Sequence, residues 1–337
     1  MQPSSSQRQS SRRRFLELTL GGAAAYLSLR AEQAAAEPPP ETTKLSILKF
    51  PAACLAPQYL AEELLRAEGF TEVQYVERHD LIEALSAGDV HFTQIFCPWA
   101  MAAQEDGAPI VFLAGIHLGC YDLFGGDKVR TIRDLKGKTV AMTELRGGTH
   151  VFVASMAAYV GLDPAKDINF VLKGWDEARE LFLAGKVDAF IAYPPDAQEF
   201  KAKKIGNLVV HSAVDRPWSQ YYCCMLTGNR EFVQKNPVAT KRVLRAILKA
   251  TDICARDPKG AAEFLVARGH ATRYDYAYQL MTELSYKAWR DYDAENSVRF
   301  WALRLYEAGL IKSTPNKVIT QWTDWRALNQ LRKELKT

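Results

Sequence analysis

The residues best suited to hold a small polar group stand together at Arg146-Gly147-Gly148-Thr149-His150. They follow a β-branched run, Thr139-Val140-Ala141-Met142, and precede an apolar, Ala-rich segment from Val151 to Val160 that stops at Gly161, which is the order strand, turn, helix. Two glycines let the main chain pass close to a bound group. Thr149 reads as an N-cap whose helix aims free N–H groups and its positive dipole end into the turn, a good seat for an anion. The same pattern also fits a plain βα turn that uses glycine for geometry alone.

The elements that must position this turn alternate. From Lys44 to Ala114, strands at 45–50, 72–76, 90–96 and 110–114 are separated by helical patterns at 57–68, 79–87 and 99–106. A second alternating block places strands at 139–142, 168–172, 189–192 and 208–211, with helices at 150–160, 175–184 and 196–202 between them. Such spacing predicts parallel sheets covered on both faces, with ligands gathering at the strands' carboxyl ends. Those ends lie at Pro51–Pro57, Phe96-Cys97-Pro98-Trp99, Gly115-Ile116-His117 and Tyr193-Pro194-Pro195. Beyond Asn236 nearly everything reads helical, and Trp289, Trp301, Trp322 and Trp325 are assigned to packing those helices on the sheets.

Residues 1–36 are set apart from the fold. Ser11-Arg12-Arg13-Arg14-Phe15-Leu16, a mildly apolar stretch from Leu18 to Leu29 and Ala34-Ala35-Ala36 form a twin-arginine export signal with cleavage near Ala36, which places the mature chain in the periplasm. The apolar run is too short for a membrane span. This leader carries five Arg and two Glu, so the remaining 38 basic and 37 acidic residues leave a net charge of only +1. No basic surface for nucleic acid follows from that balance. The six cysteines, Cys54, Cys97, Cys120, Cys223, Cys224 and Cys254, are too widely spread for a disulfide scaffold and form no C-x-x-C pair.

Several phrases resemble a known family in order along the chain: Leu85-Ser86-Ala87-Gly88-Asp89-Val90, Asp134-Leu135-Lys136-Gly137-Lys138-Thr139-Val140-Ala141, Gly161-Leu162-Asp163-Pro164 and Leu183-Ala184-Gly185-Lys186-Val187-Asp188-Ala189-Phe190. They resemble the periplasmic solute-binding proteins of nitrate/sulfonate/taurine-type ABC importers, with which the NMT1/THI5-like proteins are grouped. The resemblance implies an α/β, two-lobed periplasmic binding protein (type II), its parallel-sheet lobes joined by two crossing strands, with a helical C-terminal region. It implies a monomer that captures a solute unchanged, needs no cofactor or metal, and serves permease and ATPase subunits. Residues 37–43 would be a linker, 44–117 plus 226–337 the first lobe, and 118–225 the second. Cys120 and the Cys223-Cys224 pair would then fall on the two crossings, where one of the pair could bond to Cys120; packed free thiols are the alternative.

Mapped onto the cleft between such lobes, Phe96, Trp99, Tyr193, Trp218 and Tyr221 offer flat apolar surface. Arg146, Gly147, Gly148, Thr149, His117 and His150 offer donors, and Glu144 is expected to face outward. Donors outnumber carboxylates, so the expected solute is a small organic anion with an aromatic or apolar body, such as an aryl carboxylate or sulfonate. The alternatives are a pyrimidine thiamine precursor, or a thiol or metal-dependent enzyme of the same fold. The latter would draw on Cys97 with His117 or His150 and compare with the fungal pyrimidine synthases.

Overall fold

The computed structural model describes residues 37–335, so the expected export signal, with cleavage near Ala36, lies outside the described residues. Ten strands form two five-stranded sheets. The first contains β1 (Lys44–Lys49), β2 (Glu72–Glu77), β3 (Phe92–Phe96), β4 (Ile110–Leu118) and β10 (Tyr222–Asn229), in the order β2-β1-β3-β10-β4. The second contains β5 (Asp122–Gly125), β6 (Lys138–Met142), β7 (Ile168–Leu172), β8 (Ala189–Ala192) and β9 (Asn207–His211), in the order β7-β6-β8-β5-β9. The two orders are the same pattern written twice.

The sheets are mixed rather than parallel, which corrects the expectation. In the first, β10 runs antiparallel between β3 and β4; in the second, β5 runs antiparallel between β8 and β9. Each inserted strand is the chain's crossing from one sheet to the other, so it arrives in the reverse direction. The alternating pattern finds the parallel strands because βαβ units write them as strand and helix in turn. The alternation alone does not announce β5 and β10, because no helix of their own precedes them; they are the two crossing strands that the resemblance implies, beside Cys120 and at Cys223-Cys224.

Local chemistry fixes the strand ends that face the other sheet. The buried Gln58 amide nitrogen donates to Leu48 O at 2.7 Å while its oxygen accepts from the Gln94 N–H at 2.9 Å, tying β1 to β3 near their carboxyl ends. Buried polar groups must be paired, and here the pairing holds two strand ends in register. On the second sheet, Asp122 is buried on β5 and meets Lys201 Nζ at 3.1 Å. The same ammonium lies 2.7 Å from Glu283 on the Tyr274–Glu283 helix.

The C-terminal helices pack across both sheets' elements. The Pro237–Arg256 helix buries Val243, Leu244, Ile247 and Leu248 along one face at helical spacing. On the Ala294–Glu307 helix, Trp301 is buried and its indole N–H donates to Tyr222 O on β10 at 2.8 Å. Its ring also meets Phe96 and Phe152 edge-on. Trp289 and Trp322 are buried as well.

Lys201 neutralises two carboxylates, one of them enclosed, so Lys201→Met is expected to destabilise the chain by about 3–5 kcal/mol in urea unfolding. Lys201→Met with Asp122→Asn should recover part of the loss, and an unchanged midpoint in the single variant would remove this role.

Candidate ligand cavity

The carboxyl ends of β1, β3, β6 and β8 converge on one cavity of about 340 Å³. Its walls carry six aromatic side chains: Phe50, Phe96, Trp99, Tyr121, Trp175 and Tyr193. Trp175 lies 4.1 Å from Tyr193, Tyr121 lies 5.9 Å from Tyr193 and 4.7 Å from Phe96, and the rings therefore form a continuous wall. Trp175 is held by its indole N–H, which donates to Asp196 at 2.7 Å.

The glycine turn forms part of that wall. The helix spans Gly148–Tyr159, starting two residues earlier than the sequence pattern suggests, and its N-cap is Gly147 with no side-chain cap. Thr149 is therefore inside the first turn. Its hydroxyl is buried without a hydrogen-bond partner, and the residue lines the cavity. A hydroxyl in that state costs free energy until something pairs with it. Gly148 is required by close approach, because a Cβ there would stand 2.9 Å from the Tyr121 hydroxyl. At Gly147 a Cβ would stand 2.4 Å from Glu144 Cγ.

Glu144 is exposed, as expected of an outward-facing residue, yet it also borders the cavity. Its side chain folds over Gly147 and reaches the cavity, where burial, with Glu83 adding to it, raises its carboxyl above the usual range. Gln94 supplies a second acceptor, since its Oε1 is buried and unpartnered at the cavity wall. Among the described residues the lining contains His79 but neither Lys nor Arg.

Phe96, Trp99, Gly148, Thr149 and Tyr193 are brought together as a lining, whereas other expected site residues stand elsewhere. Gly147 and Arg146 line the adjoining groove, which shares Trp99, His79, Leu81 and Glu144 with the cavity. Arg146 adopts a left-handed backbone (φ 66°), and its guanidinium is taken up by Asp106 at 2.9 Å and the Leu310 carbonyl at 2.8 Å. His117 is enclosed because β4 continues to Leu118 and pairs with β10, so the residue lies within the sheet rather than past its end. His150 turns inward, its Nδ1 accepting from the Arg146 N–H at 3.1 Å and its ring edge-on to Phe170. Trp218 packs on Phe152 and Trp301, and Tyr221 stacks on Phe300 at 3.8 Å.

Phe50, His79, Gln94, Tyr121 and Trp175 were missed. The strand-end rule applied to β1, β2 and β7 would have found Phe50, His79 and Trp175. Gln94 sits inside β3, and Tyr121 just precedes β5 on the crossing between the sheets.

Beneath the aromatic wall lies a cluster of thiols. Cys54, Cys120 and Cys224 line the cavity, and Cys97, at the start of its helix, is fully buried with its thiol pushed up by burial. Ligand atoms of Cys54, His117 and Cys120 lie within 4.8 Å of one another, as do those of Cys120, Cys223 and Cys224. His117 Nδ1 is 3.1 Å from Gly119 O and its Nε2 has no partner. This sulfur and imidazole set is the one place among the described residues suited to a soft metal.

Two like-ordered sheets with a cavity at their facing strand ends define the periplasmic binding protein fold. The nitrate-binding protein NrtA from Synechocystis PCC 6803 superposes with a TM-score of 0.73 at 16% identity, covering 88% of this chain and 90% of that one. The alkanesulfonate-binding protein SsuA from Xanthomonas axonopodis pv. citri, bound to MOPS, gives 0.67 at 18% identity, covering 86% of this chain and all (100%) of that one. Within this fold, the chain belongs to the NMT1/THI5-like family, whose sequence model matches residues 65–261. The 4-amino-5-hydroxymethyl-2-methylpyrimidine phosphate synthase THI5 of Saccharomyces cerevisiae is 26% identical over 226 residues. That match spans 63% of each protein.

Burial, aided by the charge of Arg146, lowers the His150 pKa to about 4. The unfolded chain, titrating near the ordinary 6.5, takes up a proton that the folded ring refuses. The stabilisation is complete above about 6.5 and is lost as pH falls towards about 4, amounting to about 2 kcal/mol at pH 5. Urea unfolding at pH 7 and pH 5 should show the drop, reduced in His150→Asn; an equal drop in both would exclude this ring as its source. Burial also lowers His91 and His270, so a smaller slope should persist.

Proposed function

We propose that the chain is the extracytoplasmic substrate-binding component of an ABC importer, a monomer after export to the periplasm, and that it passes a small aromatic solute unchanged to permease and ATPase subunits. The observation that carries this reading is the cavity itself: a ring-walled space open to solvent, with a buried, unpaired Thr149 hydroxyl at a helix start. Flat apolar walls with a few convergent polar groups suit a flat solute with one polar head. The fold neighbours bind nitrate and alkanesulfonate, which supports an anionic head at the Gly148–Thr149 amides.

The helix start alone is too weak to hold the solute. It contributes about 0.3–1 kcal/mol per charge when exposed and about 2 when partly buried, against about 8 for micromolar affinity. Stacking on Trp99, Tyr193 and Trp175, with closure of the sheets on the solute, would supply the remainder.

A second reading has its own observation. Glu144 and Gln94 Oε1 are acceptors, and neither Lys nor Arg is among the lining residues described. Acceptors around an aromatic slot suit the amino group of an aminopyrimidine, and the yeast relatives are named for making a pyrimidine phosphate.

Titration calorimetry against aryl carboxylates, aryl sulfonates, nitrate, taurine and aminopyrimidines separates the two. Thr149→Val should weaken binding of the true solute by about tenfold. Glu144→Gln should strengthen an anion and weaken an aminopyrimidine. Failure of every such compound to bind would overturn both.

A further inference from the structure

Cys120 stands two residues past the end of β4, and Cys223 and Cys224 lie on β10, the neighbour of β4 in the sheet. These are the two places where the chain passes between the sheets. Consecutive strand residues ordinarily point to opposite faces. Register shifts between Tyr222 and Cys224 and between Cys224 and Met225 break that rule here, and both sulfurs come to Cys120, Cys223 at 3.0 Å and Cys224 at 4.0 Å. The three are thiols in this structure.

We propose that Cys120 and Cys223 form a reversible disulfide that fastens one crossing to the other, made by exchange with a small disulfide oxidant that enters through the ligand cavity. Cys120 and Cys224 line that cavity, whereas Cys223 stands behind them, so the oxidant first meets a thiol other than Cys223. Cys224 is the apt entry point. It lines the cavity and stands 4.0 Å from Cys120 Sγ, so a mixed disulfide formed on it is within reach of Cys120. Its sulfur attacks one sulfur of the oxidant, forming a mixed disulfide and releasing the first thiol. Cys120 then attacks Cys224 Sγ and releases the second thiol, and Cys223 attacks Cys120 Sγ and returns Cys224 as thiolate. In all, two S–H bonds are lost, one S–S bond forms, and both electrons and both protons leave on the two thiols derived from the oxidant. The export reading bears only on which oxidant the chain meets in the cell; the exchange itself stands without it.

The purified chain, Cys223→Ser and Cys254→Ser are incubated with oxidised glutathione, quenched in acid, alkylated in denaturant, and analysed by intact mass and non-reducing peptide mapping. The wild type and Cys254→Ser should lose two alkylatable thiols and yield a linked peptide pair holding Cys120 and Cys223, undone by dithiothreitol. Cys223→Ser should yield no such pair. Because the bond closes a loop of about a hundred residues, the oxidised wild type should also melt higher than the reduced form, by several degrees. Six alkylated thiols after oxidation, or a link between any other two cysteines, would overturn the proposal; the wild-type map decides this even if a variant fails to fold.

Discussion

The geometry of the cavity depends on one buried contact, Phe96 against Phe152 and Trp301. Phe96 ends β3 in the first sheet, Phe152 lies one turn into the helix that follows β6 in the second, and Trp301 comes from the C-terminal helices. Three parts of the chain, distant in sequence, meet at these rings. Because Phe152 is on the same helix as Gly148 and Thr149, the packing that seats it also sets where the helix start points. Aromatic pairs at these separations add about 0.5–1.5 kcal/mol each beyond the area they bury, with preferred edge-on angles. The seam therefore determines orientation as well as distance.

The electrostatics of the cavity follow from what that packing leaves over. Arg146 stands next to the glycine turn yet spends its charge on Asp106 and the Leu310 carbonyl. With the guanidinium so engaged and His150 held neutral, the cationic character that the residue types suggest does not reach the cavity. What does reach it is a hydroxyl, an amide oxygen, one carboxylate whose proton is more tightly held than usual, and a wall of rings. Selectivity in such a site rests on shape and hydrogen bonding more than on net charge.

Much of the fold could be read from the residues. The eight parallel strands and most helices declare themselves through period and stop signals, as in Leu183-Ala184-Gly185 before β8. The site was legible where a strand end coincides with an aromatic or a glycine, as at Phe96, Trp99, Tyr193 and Thr149. It was illegible where side-chain direction decides the outcome. Nothing in the sequence says that Arg146 turns to Asp106, that Glu144 folds across Gly147, or that β4 runs on past His117. The first depends on partners 40 and 164 residues away, Asp106 and Leu310, and the last on β10, more than a hundred residues on.

The order of synthesis meets an obstacle in the insertion of β10. When β1 to β4 have been made, β3 and β4 have no strand between them, and the strand that joins them begins at Tyr222. The first sheet therefore cannot close until the whole second sheet has been translated. Until then it exposes two unpaired edges, the kind of surface that invites pairing with other chains. The second sheet has no such wait, because β5 precedes its neighbours. Assembly of this chain should thus run against its numbering, the later sheet closing before the earlier one.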